Sequence, residues 1–487
     1  MSSEPKQTAI QNQSNRRAFL RTASAAGMSL PLISSASRPA ASQNNRKRNM
    51  VFILIDDMRF DSMSCMDHPF LQTPNIDRLA HGGMRFEHGY VTTSLCSPSR
   101  ASILSGQYPH THGVLDNSTP LPSDTPTFPI ELQRNGYKTA FVGKWHMGGS
   151  SDEPRPGFDH WVSFRGQGPY WNPTFNINGE QVEREGYMTD LLTDYAVDYL
   201  EEQDGEEPFF LYLSHKAVHA EFYPAERHKD AYSDVQIQFP DSMANTPENY
   251  EGKPLWVERQ RQSWHGVDYL YHDQTNFEQF LLDYHRTMLA VDDSVGQVMD
   301  TLERKGMLDD TLIVFTSDNG FLHGEHGLID KRCFYEPSVR VPVLAHCPNM
   351  IEPGQVSPRL VLNIDFCPTF LDAAGLELPE TIQGASFLPL LQGKDVEWRE
   401  AMLYEYFWER WFPQTPTVFG VRTERYKYMH YHGIFDLNEL YDMQEDPDEM
   451  NNLIDSPAHL EVRQQMQEHL RELMNQYGAT LTPSFKA

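Results

Sequence analysis

From residue 50 onward the chain alternates short, wholly apolar runs with longer helical or irregular segments. Met50-Val51-Phe52-Ile53-Leu54-Ile55 is apolar at every position, the pattern of a central parallel strand buried on both faces; a strand with one wet face would alternate. Residues 137–142, 208–213 and 311–316 read in the same way, residues 84–92 and 339–345 as two further strands. Helical periodicity falls between them, near 74–79, 127–134, 277–304 and 365–374. Two long connections, 148–186 and 221–273, break the rhythm and are rich in Trp, Tyr, His and Arg, as expected of lids or binding walls. Past residue 395 the pattern changes to antiparallel strands at 417–421 and 425–431 and an amphipathic terminal helix at 459–476. The expected fold is α/β, a large mixed, mostly parallel sheet flanked by helices over 49–394, with a smaller C-terminal α+β subdomain over 395–487.

Composition narrows the partners. The net charge is −28 over 487 residues, and it is unevenly placed: residues 1–50 hold eight Lys/Arg and one acidic residue, leaving 32 basic against 67 acidic residues in the rest. That balance excludes nucleic acid as the expected partner and requires a local basic pocket for any anionic substrate. No run approaches the roughly 20 apolar residues of a membrane span, so no membrane insertion is expected. Arg16-Arg17 before a short apolar stretch and the small residues Ser34-Ser35-Ala36 reads as a twin-arginine (Tat) signal over 1–36, with a linker over 37–48 and a periplasmic or secreted destination. Cys65, Cys96, Cys333, Cys347 and Cys367 form no CxxC pair and no even framework, so a disulfide scaffold is not expected.

Four of the apolar strands end in chemically able residues: Asp56-Asp57, Gly143-Lys144-Trp145-His146, Ser214-His215 with His219, and Ser317-Asp318-Asn319-Gly320. Open α/β sheets place their sites outside the carboxyl ends of the strands. Asp56, Asp57, Asp318 and Asn319 offer only oxygen, which suits a hard cation such as Ca²⁺ or Mg²⁺; a lone Asp there would more often cap a helix. Arg100, Lys144, His146, His219 and Lys331 supply the charge of an anion site. His215 and His219 also have HxxxH spacing, but they follow a strand and no third soft ligand accompanies them. Cys96 stands before Pro98, a residue at home in a helix's first turn, which leaves open a thiolate lowered by the helix N-terminus.

Cys96-Ser97-Pro98-Ser99-Arg100 resembles the C-x-P-S-R signature of type I sulfatases, in the alkaline phosphatase superfamily. Asp56-Asp57, Gly143-Lys144-Trp145-His146, His219, Ser317-Asp318-Asn319-Gly320 and Lys331 follow in the family's order, and Glu439-Leu440-Tyr441-Asp442 resembles its closing segment. The resemblance spans about residues 48–476 and implies an alkaline phosphatase-like fold and a sulfuric ester hydrolase. It also implies that a formylglycine-generating enzyme oxidises Cys96 to Cα-formylglycine, and that one Ca²⁺ is held by Asp56, Asp57, Asp318, Asn319 and the modified Cys96. One hydroxyl of the hydrated aldehyde attacks sulfur while His219 or Lys331 supplies a proton to the leaving alcohol. His146 then takes the proton of the other hydroxyl. Arg100 and Lys144 orient the diol, with Lys144 and Lys331 on sulfate oxygens. Many relatives have proline where this chain has Val218, which keeps His215 as an alternative to His219. His326, in the loop before Lys331, is a candidate substrate contact or a satisfied loop histidine.

Aromatic residues gather in the connections: Trp145, Trp161, Tyr170, Trp171, Trp256, Trp264, Tyr269 and the run Tyr404–Phe412. With Arg and His nearby they suit a sulfated carbohydrate, Trp145 included, although each alone is as well explained by local packing. Residues 144–159 resemble bacterial polysaccharide sulfatases, which points to polysaccharide degradation. The competing expectations are a phosphonate monoester or phosphodiester hydrolase of the same superfamily, and a catalytically silent secreted glycan-binding protein.

Overall fold

The computed structural model describes residues 47–269 and 276–481, so the expected Tat signal over 1–36 lies outside the described residues. The apolar runs form the middle of a ten-stranded sheet. Its strands are β1 (Asn49–Ile55), β2 (Met84–Tyr90), β3 (Lys138–Lys144), β4 (His160–Phe164), β5 (Thr174–Ile177), β6 (Glu180–Glu183), β7 (Phe209–Ser214) and β8 (Thr311–Ser317). A two-stranded hairpin, β9 (Leu322–His323) with β10 (Ile329–Asp330), precedes the last two members, β11 (Val343–His346) and β12 (Gln355–Leu362). The order across the sheet is β12-β2-β11-β8-β1-β7-β3-β4-β5-β6.

β8, β1, β7 and β3 are neighbours and parallel, Met50 lying beside Leu312 on one side and Phe210 on the other. Their four carboxyl ends therefore meet at one edge. Alternation along these strands fills two cores. Met50, Phe52 and Leu54 face one, with the Phe366–Ala373 helix, and Val51, Ile53 and Ile55 face the other, under the long Phe277–Arg304 helix. Every residue of β1 is buried, the outcome its uninterrupted apolar run predicts.

Two expectations are corrected, and one strand was missed. Residues 148–186 are no loop: they carry β4, β5 and β6, which extend the sheet at its edge. β5 and β6 are four residues each, joined through Asn178-Gly179, and β6 is largely exposed, so neither shows the apolar run that marks the central strands. The strand expected over 339–345 begins only at Val343, as Val343–His346, and runs antiparallel to β2 and β8, while Glu336–Val339 is a helical turn. β12, interrupted by Pro358, escaped the pattern altogether.

C-terminally, β13 (Ala401–Tyr406), β14 (Thr417–Thr423), β15 (Tyr426–His432) and β16 (Glu439–Asp442) form the expected antiparallel sheet. The Leu460–Tyr477 helix buries Met466, Leu470 and Met474. This sheet belongs to the same compact unit as the larger one. Among the described residues no helix is long and apolar enough to cross a membrane.

Candidate active site

The Cys96–Ser105 helix begins at Cys96 and is buried along its whole length, so its polar residues must find partners inside the protein. Ser97 Oγ donates to the His146 carbonyl at 2.6 Å, and Ser99 Oγ accepts from Asn363 at 2.9 Å. Arg100 stitches three strand ends together. Its Nε donates to Asp318 Oδ2 at 2.8 Å, with Nη2 equally close to that oxygen, and Nη1 donates to the Lys144 carbonyl at 2.7 Å and to Ser214 Oγ at 2.8 Å.

Around Cys96 Sγ stand Asp56 Oδ1 at 3.5 Å and Asp57 Oδ1 at 3.9 Å, and these atoms with a carboxylate oxygen of Asp318 all lie within 4.8 Å of one another. Lys331 Nζ reaches both oxygens of Asp57, at 2.7 and 2.6 Å, and Lys144 Nζ binds Asp56 and Gln167. His219 Nε2 is 3.8 Å from Asp57 Oδ2, and His146 Nδ1 is 3.5 Å from Ser97 Oγ. Asp57 and His146 both hold left-handed backbone, φ 63° and 56°, a conformation that non-glycine residues adopt at a cost and that gathers at functional sites.

Burial and charge set the proton inventory. Burial alone would raise the Asp56 carboxyl, but Lys144, then His219 and Arg100, outweigh it and hold it well below its ordinary value. Asp57 goes the other way, pushed up to about 7 by burial with Asp56 and Asp318 adding to it against Lys331. Burial, then Lys144, pushes both His146 and His219 well below the usual imidazole value, so both are neutral proton acceptors as they stand. Burial likewise pushes the Cys96 thiol well above its ordinary value, the reverse of a thiolate activated by its helix.

The donor set fits a hard divalent cation. Three buried carboxylates crowd together, and Asn319, whose Nδ2 donates to Asp57 at 2.7 Å, keeps its buried Oδ1 without a hydrogen-bond partner. An oxygen-only set with an orphaned amide oxygen is what Ca²⁺ or Mg²⁺ takes and what zinc does not prefer.

Asp56, Asp57, Cys96, Arg100, Lys144, His146, His219, Asp318, Asn319 and Lys331 are thus brought together. The three substrate candidates are not part of this ring. His215 is fully buried on the other side of its strand end, its Nε2 3.0 Å from Ser294 Oγ of the long helix. Trp145, 6% exposed, packs with Phe141 and Trp161 at 5.5 and 5.6 Å between ring centres. His326 packs on Tyr335 at 4.3 Å and lines a separate cavity of about 480 Å³ with His88, Glu336, Arg340 and Arg422. Trp161, Tyr170 and Trp256 are buried too, whereas Trp171, Trp264, Tyr269, Trp408 and Trp411 are exposed.

Several residues at the site escaped sequence reasoning. Gln167 comes from the first long connection and His265 from the second, while Tyr170 and Glu409, read from the sequence only as members of the loop aromatics and of the Tyr404–Phe412 run, reach it too. Asp330 and Arg332 flank Lys331, the one available signal, and form a buried wall with them. Asp330 Oδ2 lies 3.2 Å from His265 Nε2, Arg332 Nε donates to Glu409 Oε2 at 3.3 Å, and the Arg332 guanidinium covers Phe412 at 4.1 Å.

The sulfatase family profile matches residues 48–376, and a profile described as N-sulphoglucosamine sulphohydrolase, C-terminal, matches 324–476. An N-acetylglucosamine-6-O-sulfatase of Bacteroides thetaiotaomicron is 34% identical over 91% of this chain and 89% of its own. A solved structure of a protein bound to its substrate D-glucosamine-2-N,6-O-disulfate superposes with a TM-score of 0.82 at 33% identity, over 91% of this chain and 100% of the other. The phosphonate monoester hydrolase of Agrobacterium radiobacter shares the fold, with a TM-score of 0.75 at 24% identity over 88% of this chain and 96% of the other. With that breadth of match added to the ring around Cys96, the chain belongs to the sulfatase family.

Proposed function

We propose that this sulfatase removes the 6-O-sulfate of a glucosamine-type sugar, with one Ca²⁺ and a Cα-formylglycine made from Cys96, after export by its twin-arginine signal. The two glucosamine-directed relatives support the sugar, and the ring of hard donors and cations around Cys96 is the observation that carries the chemistry. Asp56, Asp57, Asp318 and Asn319 would hold the cation, which supplies Lewis acidity at a sulfate oxygen. A formylglycine made from Cys96 would, as its hydrate, supply a nucleophilic hydroxyl.

The chain's own residues do the rest. Lys144, on Asp56, and Lys331, on Asp57, offer ammonium protons to the sulfate oxygens. Lys331 Nζ, an ammonium on Asp57, delivers a proton to the leaving sugar oxygen, whereas His219, neutral with Nδ1 against the Ala220 carbonyl, presents Nε2 as an acceptor and donates only after taking up a proton. His146, neutral and anchored through Ser97, accepts the proton whose loss frees the product. Arg100 holds Asp318 and the ends of β3 and β7, fixing the ring. Beyond Lys331, Asp330, Arg332, His265 and Glu409 present fixed donors and acceptors for sugar hydroxyls. Glu409 Oε1 is buried without a hydrogen-bond partner, as an acceptor awaiting a hydroxyl would be.

Expression with a formylglycine-generating enzyme should yield a Cys96 peptide about 18 Da lighter than the thiol form. D-glucosamine 6-sulfate should be turned over, EGTA should abolish the activity and Ca²⁺ restore it, and Cys96→Ala should be inactive but folded. Faster hydrolysis of a phosphodiester than of the sulfate ester, or full activity in Cys96→Ala, would overturn the reading. Replacing Arg16-Arg17 with Lys-Lys should hold the protein in the cytoplasm.

A further inference from the structure

Lys216 takes no part in the proposed hydrolysis, and its surroundings are unusual for a lysine. It is 4% exposed, and among the described residues its ammonium makes neither a hydrogen bond nor an ion pair. Its close partner there is the face of Tyr170, 4.3 Å from the ring centre. A buried lysine normally pairs with a carboxylate, because an unpaired buried ammonium is costly.

Its position explains what it faces. β7 ends at Ser214, whose hydroxyl meets Arg100 inside the ring, while His215 points away to Ser294. Lys216 comes next, and its ammonium lies within electrostatic reach of Lys144, Asp56, Asp57 and Glu221. Burial, then Lys144, pushes it down to about 7, the carboxylates opposing. Tyr170 is tied to the same spot, its hydroxyl donating to the His219 carbonyl at 2.7 Å. The ammonium is thus held on an aromatic plate beside the ring, with its N–H donors unspent.

From this placement we infer that Lys216 is a third ammonium of the substrate site and takes a sulfate oxygen, either of the group being transferred or of a second sulfate on the same sugar. This rests on the sulfated-sugar reading but uses a residue outside the C-x-P-S-R signature and the motifs that accompany it. A cation that keeps its hydrogen-bonding capacity for the ligand contributes more on binding than one already neutralised, and Tyr170 fixes it without consuming a donor.

The test is calorimetric binding to calcium-loaded Cys96→Ala protein, which cannot turn over. The probes are inorganic sulfate, D-glucosamine 6-sulfate, D-glucosamine-2-N,6-O-disulfate and unsulfated glucosamine. Adding Lys216→Met, which keeps the stem on Tyr170, should raise Kd about ten- to a hundredfold, the range for a lost charged hydrogen bond. A rise for all three sulfated probes assigns Lys216 to the transferred group, and a rise for the disulfate alone assigns it to the second sulfate. Unchanged Kd values for all three overturn the inference. If Lys216→Met lowers the thermal midpoint, the ¹³Cε resonance of Lys216 in the parent decides: a shift on saturation with inorganic sulfate and with the disulfate supports the contact, and no shift with either overturns it. Equal affinity for glucosamine and its 6-sulfate would sink the sugar reading, while the inorganic sulfate arm would still judge Lys216.

Discussion

Gly143 shows how a residue without a side chain holds the catalytic ring in place. Its φ is +126°, and a Cβ built on it would stand 1.8 Å from the Ser214 carbonyl oxygen on the neighbouring strand. β3 and β7 pair there, Gly143 beside Ser214, and the next residue is Lys144. Gly143→Ala must therefore push the two strand ends apart, and with them Lys144 and the Ser214 hydroxyl that Arg100 uses. The expected cost is at least about 2 kcal/mol by urea unfolding, from the disfavoured φ and the overlap together, with more than tenfold loss of kcat. A variant within about 0.5 kcal/mol of the parent and fully active would show that the strand ends can part without consequence. The same scale shows what a sequence conceals. Asp56 and Asp57 are legible because a long apolar run delivers them to a strand end, where a carboxylate needs a reason to be. Gln167, His265 and Glu409 reach the site from connections with no periodicity, so only folding reveals them. Lys216 draws no notice in the sequence because burial cannot be inferred from one charge.

At the scale of elements, legibility tracks burial on both faces. β1, β7 and β8 and the Phe277–Arg304 helix announce themselves because each must satisfy a large apolar environment along its length. β5, β6 and β12 do not, because strands at or next to the sheet's edges are short, half exposed or broken by proline, and their pairing is decided by the sheet they join. The Cys96–Ser105 helix has no amphipathic face at all, being buried throughout, and its boundaries are marked by Pro98 and by Gly106, φ 69°, whose N–H reaches the Ser102 carbonyl. Just beyond its C-terminus, His110 ties the helix to two distant elements. His110 Nδ1 lies 2.8 Å from Glu405 of β13, and Nε2 lies 2.9 Å from the Tyr477 carbonyl at the end of the terminal helix. Burial would lower the His110 imidazolium, but the hydrogen bond and charge of Glu405 outweigh it and raise it above 6.5. A raised folded value means that the stabilisation is complete below the unfolded value near 6.5 and is lost as pH rises through the folded one. His110→Gln should cost about 1–2 kcal/mol at pH 5.5 and measurably less at pH 8.5, read from urea midpoints. An equal cost at both pH values would mean that the imidazolium is not the stabilising form.

For the whole molecule, the question is why a sulfatase of this kind needs its C-terminal sheet. The segment that follows Lys331 is held by that sheet as well as by the large one, whose Tyr90 donates to Glu336 at 2.8 Å. Lys427 of β15 donates to the Phe334 carbonyl at 2.8 Å and pairs with Glu336 at 2.7 Å and Glu449 at 2.8 Å, all buried. Tyr335 donates to Glu439 of β16 at 2.8 Å, Tyr404 of β13 donates to the Cys333 carbonyl at 3.1 Å, and the Phe334 and Tyr404 rings stack at 4.2 Å. Four consecutive residues after Arg332 are thus fixed by the small sheet, and Lys331 inherits its position from them. Pairing Lys427 with two carboxylates leaves one of them under-compensated, and Glu449 is the one pushed up, to about 7, by burial before Lys427 opposes it. The two substitutions should then behave unequally. Lys427→Met leaves Glu449 without its cation, while Glu336 keeps Arg422 at 3.3 Å and the Tyr90 hydroxyl, and should cost about 3–5 kcal/mol, with loss of activity even where the protein remains folded, because the segment after Lys331 loses its support. Glu449→Gln replaces a carboxyl that already resists ionisation but keeps only one acceptor for the Lys427 ammonium and the Glu336 N–H, and should cost about 1–3 kcal/mol at pH 6, less than Lys427→Met, while leaving turnover nearer the parent's. Urea unfolding and kcat on both variants check the pair. If Lys427→Met kept full turnover while losing stability, the C-terminal sheet would be a buttress for the fold alone, and the positioning of Lys331 would have to come from Asp57 and the large sheet.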